Sequence, residues 1–406
     1  MKRVYTSFKW VIFSLITGLV VGFCGTVFYL LFGFVNIMRT QNPWLLYLMP
    51  IAGLAIVALY HIFKDDDDGG TNLVISSIHS GEKIPFRMAP LVFISTLLTH
   101  LCGGSASHEG AALQIGGSIG NALGKAFHFD EKDTHIMIMC GMSAAFAAVF
   151  GTPMAAAIFS MELISVGVMH YSALVPCVIG ALVGQAVANR FGCAPQAYTI
   201  ARMSVFRPKT AVAISILAIL CALVSILFCV LLHSTERFFQ KYLKNAYLRA
   251  FVGGCILVGA TLLLGDAYSG TGTSIIAAAF EAEAVPYDFL LKMIFTAVCL
   301  GVGFKGGEIL PAMACGASFG CLFGTLLGFN PPLCAAVGMI ALFCGVTNCP
   351  VTALLLAFEM FGYEGMPYFL LTVAFSYMLS GYFGLYHSQR IVYSKYKTNY
   401  INKSTL

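Results

Sequence analysis

The chain has 406 residues, 59% of them hydrophobic and only 10% charged, with a mean hydropathy of +0.85. A soluble domain carries roughly 25% charged residues, so the composition excludes water as the main solvent and implies a multi-pass integral membrane protein of the cell membrane. The net charge of +5 is scattered over loops and forms no basic stripe, which excludes nucleic acid as a partner and leaves the lipid bilayer.

In chain order, Met1-Lys2-Arg3 and Lys9 precede a long apolar run, Trp10–Val35. The run lacks a small-residue cleavage site and reads as a retained first span with its N-terminus in the cytoplasm. Trp44–Phe63 is the second span, and Asp65–Asp68 reads as a solvated cytoplasmic loop. Spanning runs continue at Phe86–Leu101, Ala211–Leu232, Phe251–Leu264, Phe289–Phe304 and Tyr368–Leu385, several meeting the ~20-residue requirement. Between them lie Thr71–His79, Gly110–Leu123, Thr152–Val166 and Val351–Phe361, too short to span alone. These carry the glycines, prolines and acids expected of broken helices whose ends line a cavity. The basic loop Arg237–Arg249 and the tail with Arg390, Lys395, Lys397 and Lys403 fit the cytoplasmic side. The basic linker Arg190–Lys209 does not, because inverted halves place it outside.

The halves are visible as an internal repeat. Gly141–Glu162 recurs without a gap as Gly338–Glu359, matching Gly141 to Gly338, Phe146 to Phe343, Pro153 to Pro350 and Glu162 to Glu359. Gly116, Ser118, Gly120 and Gly124 return as Gly316, Ser318, Gly320 and Gly324, and Gly70–Val74 is echoed by Gly272–Ile276. Small residues at this spacing let helices approach closely in lipid. The expected fold is an all-α membrane protein built as an inverted repeat of tilted, partly broken helices. Its halves are residues 1–200 and 201–390, followed by a short cytoplasmic tail, 391–406, with no soluble regulatory domain. The paired positions of Glu162 and Glu359 predict a structural task, capping or pairing. The 14 cysteines are dispersed, with no CxxC pair, so no metal or cofactor is expected.

Packing does not account for Glu109 in Gly103–Gly117. A carboxylate at membrane depth costs roughly 2.5–3.5 kcal/mol or more, so it is rare without a partner or a task. Its plain reading is a loop acid near the interface, paired with His108. The flanking glycines and the helix that follows instead describe a helix N-terminus, whose free N–H groups and positive dipole suit an anion. Glu109 placed there competes with that anion, and protonation releases it. Proton occupancy and anion occupancy are thereby linked.

Several segments together resemble the CLC family of chloride channels and proton-coupled anion antiporters, over nearly the whole chain. The family's gating motif, usually Gly-Arg-Glu-Gly-Pro, is matched by Ser107-His108-Glu109-Gly110-Ala111, and Gly-Ile-Phe-Ala-Pro by Gly307-Glu308-Ile309-Leu310-Pro311. The central tyrosine on the last helix's cytoplasmic end best matches Tyr386, with Tyr393 as fallback. Gly-Ser-Gly-Ile-Pro appears as Gly69-Gly70-Thr71-Asn72-Leu73, and the inner proton glutamate of common antiporters is Leu163. The resemblance implies Glu109 as gating glutamate and an anion site from Gly70, Thr71, Asn72, Gly110, Ile309, Leu310 and Tyr386. It also implies a homodimer with one path per subunit.

The run Phe304–Glu308 is similar to the second-half motif of the fluoride/proton antiporter branch, in which the matching glutamate serves proton transfer. Glu308 is therefore a candidate proton relay. Its plain reading is an ion pair with Lys305 at i, i+3. That branch favours a methionine near Gly70 and a threonine at Leu310, both absent here, so chloride and fluoride stay open. The implied function is proton-coupled exchange of a small inorganic anion through Glu109; the alternative is a passive voltage- or pH-gated chloride channel. An intramembrane enzyme is disfavoured by the lack of HExxH, GxSxG or paired aspartates on facing spans.

Overall fold

A computed structural model describes residues 2–65, 68–193, 198, 200 and 206–406, with side chains from residue 8. The first half supplies α1 (Lys2–Gln41), α2 (Met49–Ile62), α3 (Gly70–Ser80), α4 (Met88–Leu101), α5 (Glu109–Ala126), α6 (Glu131–Phe150), α7 (Pro153–Glu162), the strand β1 (Ser165–Val166) and α8 (Leu174–Arg190). The second supplies α9 (Pro208–Tyr242), α10 (Ala246–Leu264), α11 (Thr273–Phe280), α12 (Asp288–Gly301), α13 (Ile309–Leu327), α14 (Pro331–Thr347), α15 (Pro350–Phe361) and α16 (Met366–Leu379). Helix for helix, α1–α8 correspond to α9–α16. Among the described residues seven helical stretches are long and apolar enough to cross a membrane. Their outward faces carry large apolar side chains such as Leu19, Phe23, Leu223 and Leu263, suited to lipid.

The glycines of the repeat explain how the core closes. The backbones of α5 and α6 meet at Gly116 and Gly141, and those of α13 and α14 meet at Gly316 and Gly338, with no room for a Cβ at any of the four. Asp130 caps α6 by accepting from Asp133 N at 2.8 Å, and Asn330 caps α14 by accepting from Leu333 N at 3.2 Å.

The paired glutamates of the repeat are reciprocal caps. Glu162, at the end of α7, accepts from Val351 N (3.0 Å), Thr352 N (2.8 Å) and Thr352 Oγ1 (2.6 Å) at the start of α15. Glu359 in α15 accepts from Met154 N (2.8 Å) and Ala155 N (2.9 Å) at the start of α7. Both helices begin with proline and leave N–H groups unbonded; each is completed by the other half's carboxylate. Glu162→Ala is expected to leave buried donors unpaired, costing on the order of 2–4 kcal/mol, read as an earlier thermal unfolding of detergent-purified protein. An unchanged transition would contradict the capping role.

Contacts also fix which ends lie together. His79 meets the Ile164 carbonyl, Ser165 pairs with Arg390 of β2 (Arg390–Tyr393), and His233 near the end of α9 meets the Gly384 carbonyl. The Arg237–Arg249 loop and the tail therefore share one end. Arg39 and Asp266 pair at 2.9 Å near Gly103 at the opposite end, where Arg207 N donates to the Tyr368 hydroxyl. The linker's described flanks thus lie away from the tail, as inverted halves require, although they are basic; most of its middle lies outside the described residues.

The fold is helical with one small exception. β2 pairs with β1 in parallel and with β3 (Tyr400–Ser404) antiparallel, forming a three-stranded sheet. The tail can do this because β1, after α7, offers it an edge. The expected solvated run Asp65–Asp68 is corrected as far as it is described. Asp65 pairs with Arg87 at 3.0 Å, and Asp68 is buried against Lys305; Asp66 and Asp67 lie outside the described residues.

Candidate functional site

Two loops meet at the centre of the molecule. Ser107 N donates to the Gly307 carbonyl at 2.7 Å and Gly307 N to the Ser107 carbonyl at 2.6 Å, an isolated antiparallel bridge between the halves. The approach is too close for side chains: a Cβ on Gly307 would sit 2.6 Å from Gly110 N, and one on Gly110 would sit 2.9 Å from the Gly307 Cα. From this bridge α5 and α13 leave in turn. Their first ladder bonds run from Ala112 N to the His108 carbonyl and from Ala312 N to the Glu308 carbonyl. The N–H groups of Gly110, Ala111, Ile309 and Leu310 precede the two ladders and have no partner within their own helices.

Glu109 opens α5 and is fully buried, and neither carboxyl oxygen has a hydrogen-bond partner. His108 lies beside it, 3.8 Å from Nε2 to Oε1. An interfacial loop acid is thereby ruled out by burial, and the pairing with His108 is too long for a hydrogen bond. Ser107 Oγ, also buried beside the bridge, has no partner either. Lys292 of α12, which carries no motif in the sequence, fixes the approach to this loop. Its Nζ donates to Ser105 Oγ (2.9 Å) and to the carbonyls of Tyr268 (3.0 Å) and Gly270 (2.6 Å).

Glu308 is the residue before α13 and lines a cavity of about 190 Å³ that opens at the tail end. Gly70, Thr71, Asn72 and Tyr386 line the same cavity, as do Asp68, His233 and exposed Glu236. Tyr386 is fully buried beside Glu308 in the cavity wall, and its hydroxyl has no hydrogen-bond partner. The residues expected to share one site therefore fall into two adjoining groups. Glu109, Gly110, Ile309 and Leu310 are buried at the bridge, whereas Gly70, Thr71, Asn72, Glu308 and Tyr386 face the cavity.

Three expectations change. Lys305 does not pair with Glu308; its Nζ reaches Asp68 Oδ2 at 2.8 Å and lies 4.3 Å over the Tyr60 ring. The i, i+3 rule presupposes a helix, and α13 begins only after Glu308. Tyr386 is not on a helix, because α16 ends at Leu379 and Gly381, at φ +61°, turns the chain. Its loop is held by Ser388 N donating to Asn72 Oδ1 (3.0 Å) and Thr405 Oγ1 donating to the Tyr386 carbonyl (2.6 Å). Gly70 N is already occupied, donating to Asp68 Oδ1 at 3.0 Å. At α3 a carboxylate thus stands where an anion was expected. Asp68 was hidden in the sequence by the acidic run around it.

A sequence model of the voltage gated chloride channel family matches residues 52–381. The chain belongs to that family. Among relatives of this CLC-type protein, the chloride/fluoride channel protein of Pseudomonas syringae pv. tomato is 36% identical over 96% of this chain and 88% of that protein. The H+/Cl− exchange transporter of Vibrio cholerae serotype O1 is 26% identical over 87% and 82%. In three dimensions the CLC-type chain is similar to a CLC-type fluoride/proton antiporter, with a TM-score of 0.91 at 29% identity, covering 95% of this chain and 98% of that one. A slow cyanobacterial Cl−/H+ antiporter superposes with a TM-score of 0.80 at 20% identity over 92% and 94%, which speaks for the fold alone.

Proposed function

We propose that this protein is a multi-pass membrane antiporter that exchanges a small inorganic anion for protons, with fluoride its preferred substrate over chloride. The observation that carries the reading is Glu109, a fully buried carboxyl without a hydrogen-bond partner at the N-terminus of α5. Burying a carboxyl group without a partner is costly, so its retention there points to a task. Ionised, it occupies the positive end of α5; protonated, it gives that place to an anion, held by the N–H groups of Gly110, Ala111, Ile309 and Leu310. Each anion step then requires a change in proton occupancy.

Glu308 supplies the proton from the tail side. It stands between the cavity, which brings water to it, and the bridge behind which Glu109 lies. Tyr386 lines the same cavity wall. Asn72 supports the Tyr386 loop, and Gly70 and Thr71 form the cavity wall through which the anion arrives. The preference for fluoride rests on the likeness to the fluoride/proton antiporter at 29% identity and to the chloride/fluoride channel protein at 36%. A homodimer with one path in each subunit belongs to the same reading, and single-molecule photobleaching in bilayers should give two steps.

Proteoliposomes loaded with fluoride or chloride, with external pH recorded during efflux, test substrate and coupling together. Fluoride efflux is expected to drive proton uptake against a pH gradient, with chloride efflux about tenfold slower or less, roughly 1.4 kcal/mol of discrimination. Efflux of either anion without proton movement would leave the passive channel as the correct reading.

A further inference from the structure

His108 is not explained by the function above. It is 3% exposed, and neither ring nitrogen has a hydrogen-bond partner. A core histidine with a purely structural role ordinarily finds a donor or acceptor. Here the ring lies against Phe32, with centroids 4.1 Å apart, and 6.0 Å from the Tyr29 ring. Its Nε2 points at the Glu109 carboxyl, 3.8 Å away.

The repeat gives this position a meaning. In the register that matches Gly116 to Gly316, Ser107 matches Gly307 and His108 matches Glu308. Each is the residue before its helix, α5 or α13, and the backbone bridge lies directly before both. Because the halves are inverted, the two titratable residues face opposite ends. Glu308 faces the cavity at the tail end. His108 faces α1, where half-buried Tyr29 packs on Ala188 and Cys193 at the far end of α8.

We propose that His108 is the proton carrier between Glu109 and the membrane face opposite the tail, the counterpart of Glu308 on the tail side. This rests on Glu109 being the coupling carboxyl. The neutral ring takes a proton at Nδ1 from water on the far side and becomes imidazolium. It then releases the Nε2 proton to the Glu109 carboxylate, so one proton has moved, and a ring flip or exchange with water returns the resulting Nδ1–H tautomer to the Nε2–H form for the next cycle. A small side-chain rotation or one bridging water closes the 3.8 Å gap. The titratable groups around the ring are Glu109 on α5, Tyr29 on α1 and His100 on α4. His100 meets Phe32 edge to face, with ring centroids 4.4 Å apart.

The test uses the full-length protein in proteoliposomes of known orientation under a fluoride gradient. His108→Gln keeps polarity without a titratable group, and His108→Phe keeps the contact with Phe32, so one is available if the other does not fold. Both are expected to lower proton flux about tenfold or more while anion flux changes less than about twofold. The remaining proton flux should lose its dependence on pH in the bath opposite the tail and keep it in the tail-side bath. A wild-type proton-to-anion ratio in either folded variant, or an unchanged far-side pH profile, overturns the proposal. Glu109→Gln is run in parallel. If it retains coupling, the reading of Glu109 fails and this proposal falls with it; if only the His108 variants retain coupling, this proposal alone falls.

Discussion

Replacing Glu109 with glutamine is expected to abolish uphill proton movement entirely while anion movement continues and no longer responds to pH. The substitution keeps size and hydrogen-bonding capacity but removes the exchangeable proton and the negative charge. Glu109 has no hydrogen bond to lose, so the fold should tolerate the amide, and the effect isolates titration from structure. The amide cannot compete electrostatically for the N-termini of α5 and α13, so the path stays in the state that protonation normally produces. Purified Glu109→Gln protein that still pumps protons on an anion gradient would show that another group couples the two fluxes.

A second large effect is expected at Glu308. Removing its charge should slow proton flux by about tenfold or more and anion flux far less, because Glu308 is the proposed relay at the cavity wall while the N–H groups of α13 remain in place. The competing account, in which Glu308 neutralises Lys305, has lost its partner: Lys305 is bonded to Asp68. Lys305→Met should therefore destabilise the protein by stranding the Asp68 carboxylate, and Asp68→Asn should relieve that defect. Glu308→Gln should do neither. Glu308→Gln therefore separates the accounts by itself: if it keeps the wild-type proton-to-anion stoichiometry, Glu308 is no relay and the inner proton path lies elsewhere.

Much of this architecture is legible in the sequence because lipid imposes strict rules. A glycine that must let two backbones touch cannot change freely, so Gly116, Gly141, Gly316 and Gly338 register the two halves directly. The task of Glu162 and Glu359 could be read from their equivalence, since a helix that starts at proline needs an external cap. Glu109 announced itself as an acid in an apolar run. What escaped reading depends on partners far apart in the chain. Asp68 looked solvated among four aspartates, and only the return of the chain at Lys305 buries it. Nothing in the sequence around Lys292 announces that three oxygens from two loops converge on it. Helical spacing misassigned Lys305 because the Gly307 bridge segment, rather than a helix, separates it from Glu308. The tail strand pairing was hidden as well, since β1 is two residues long and has no alternating pattern to display.

The exchanged caps have a consequence for how the protein is made. The N–H groups of Met154 and Ala155 wait for a carboxylate more than 200 positions later in the chain, with separations of 205 and 204 residues. At a synthesis rate of about 5–20 residues per second, that interval is roughly 10–40 s. Throughout it, the newborn first half sits in the bilayer with one helix start unsealed, on the surface that must receive its twin. An insertion factor or chaperone that shields this face would act in that window. The ordered moment of completion is the emergence of Glu359, after which each half locks the other.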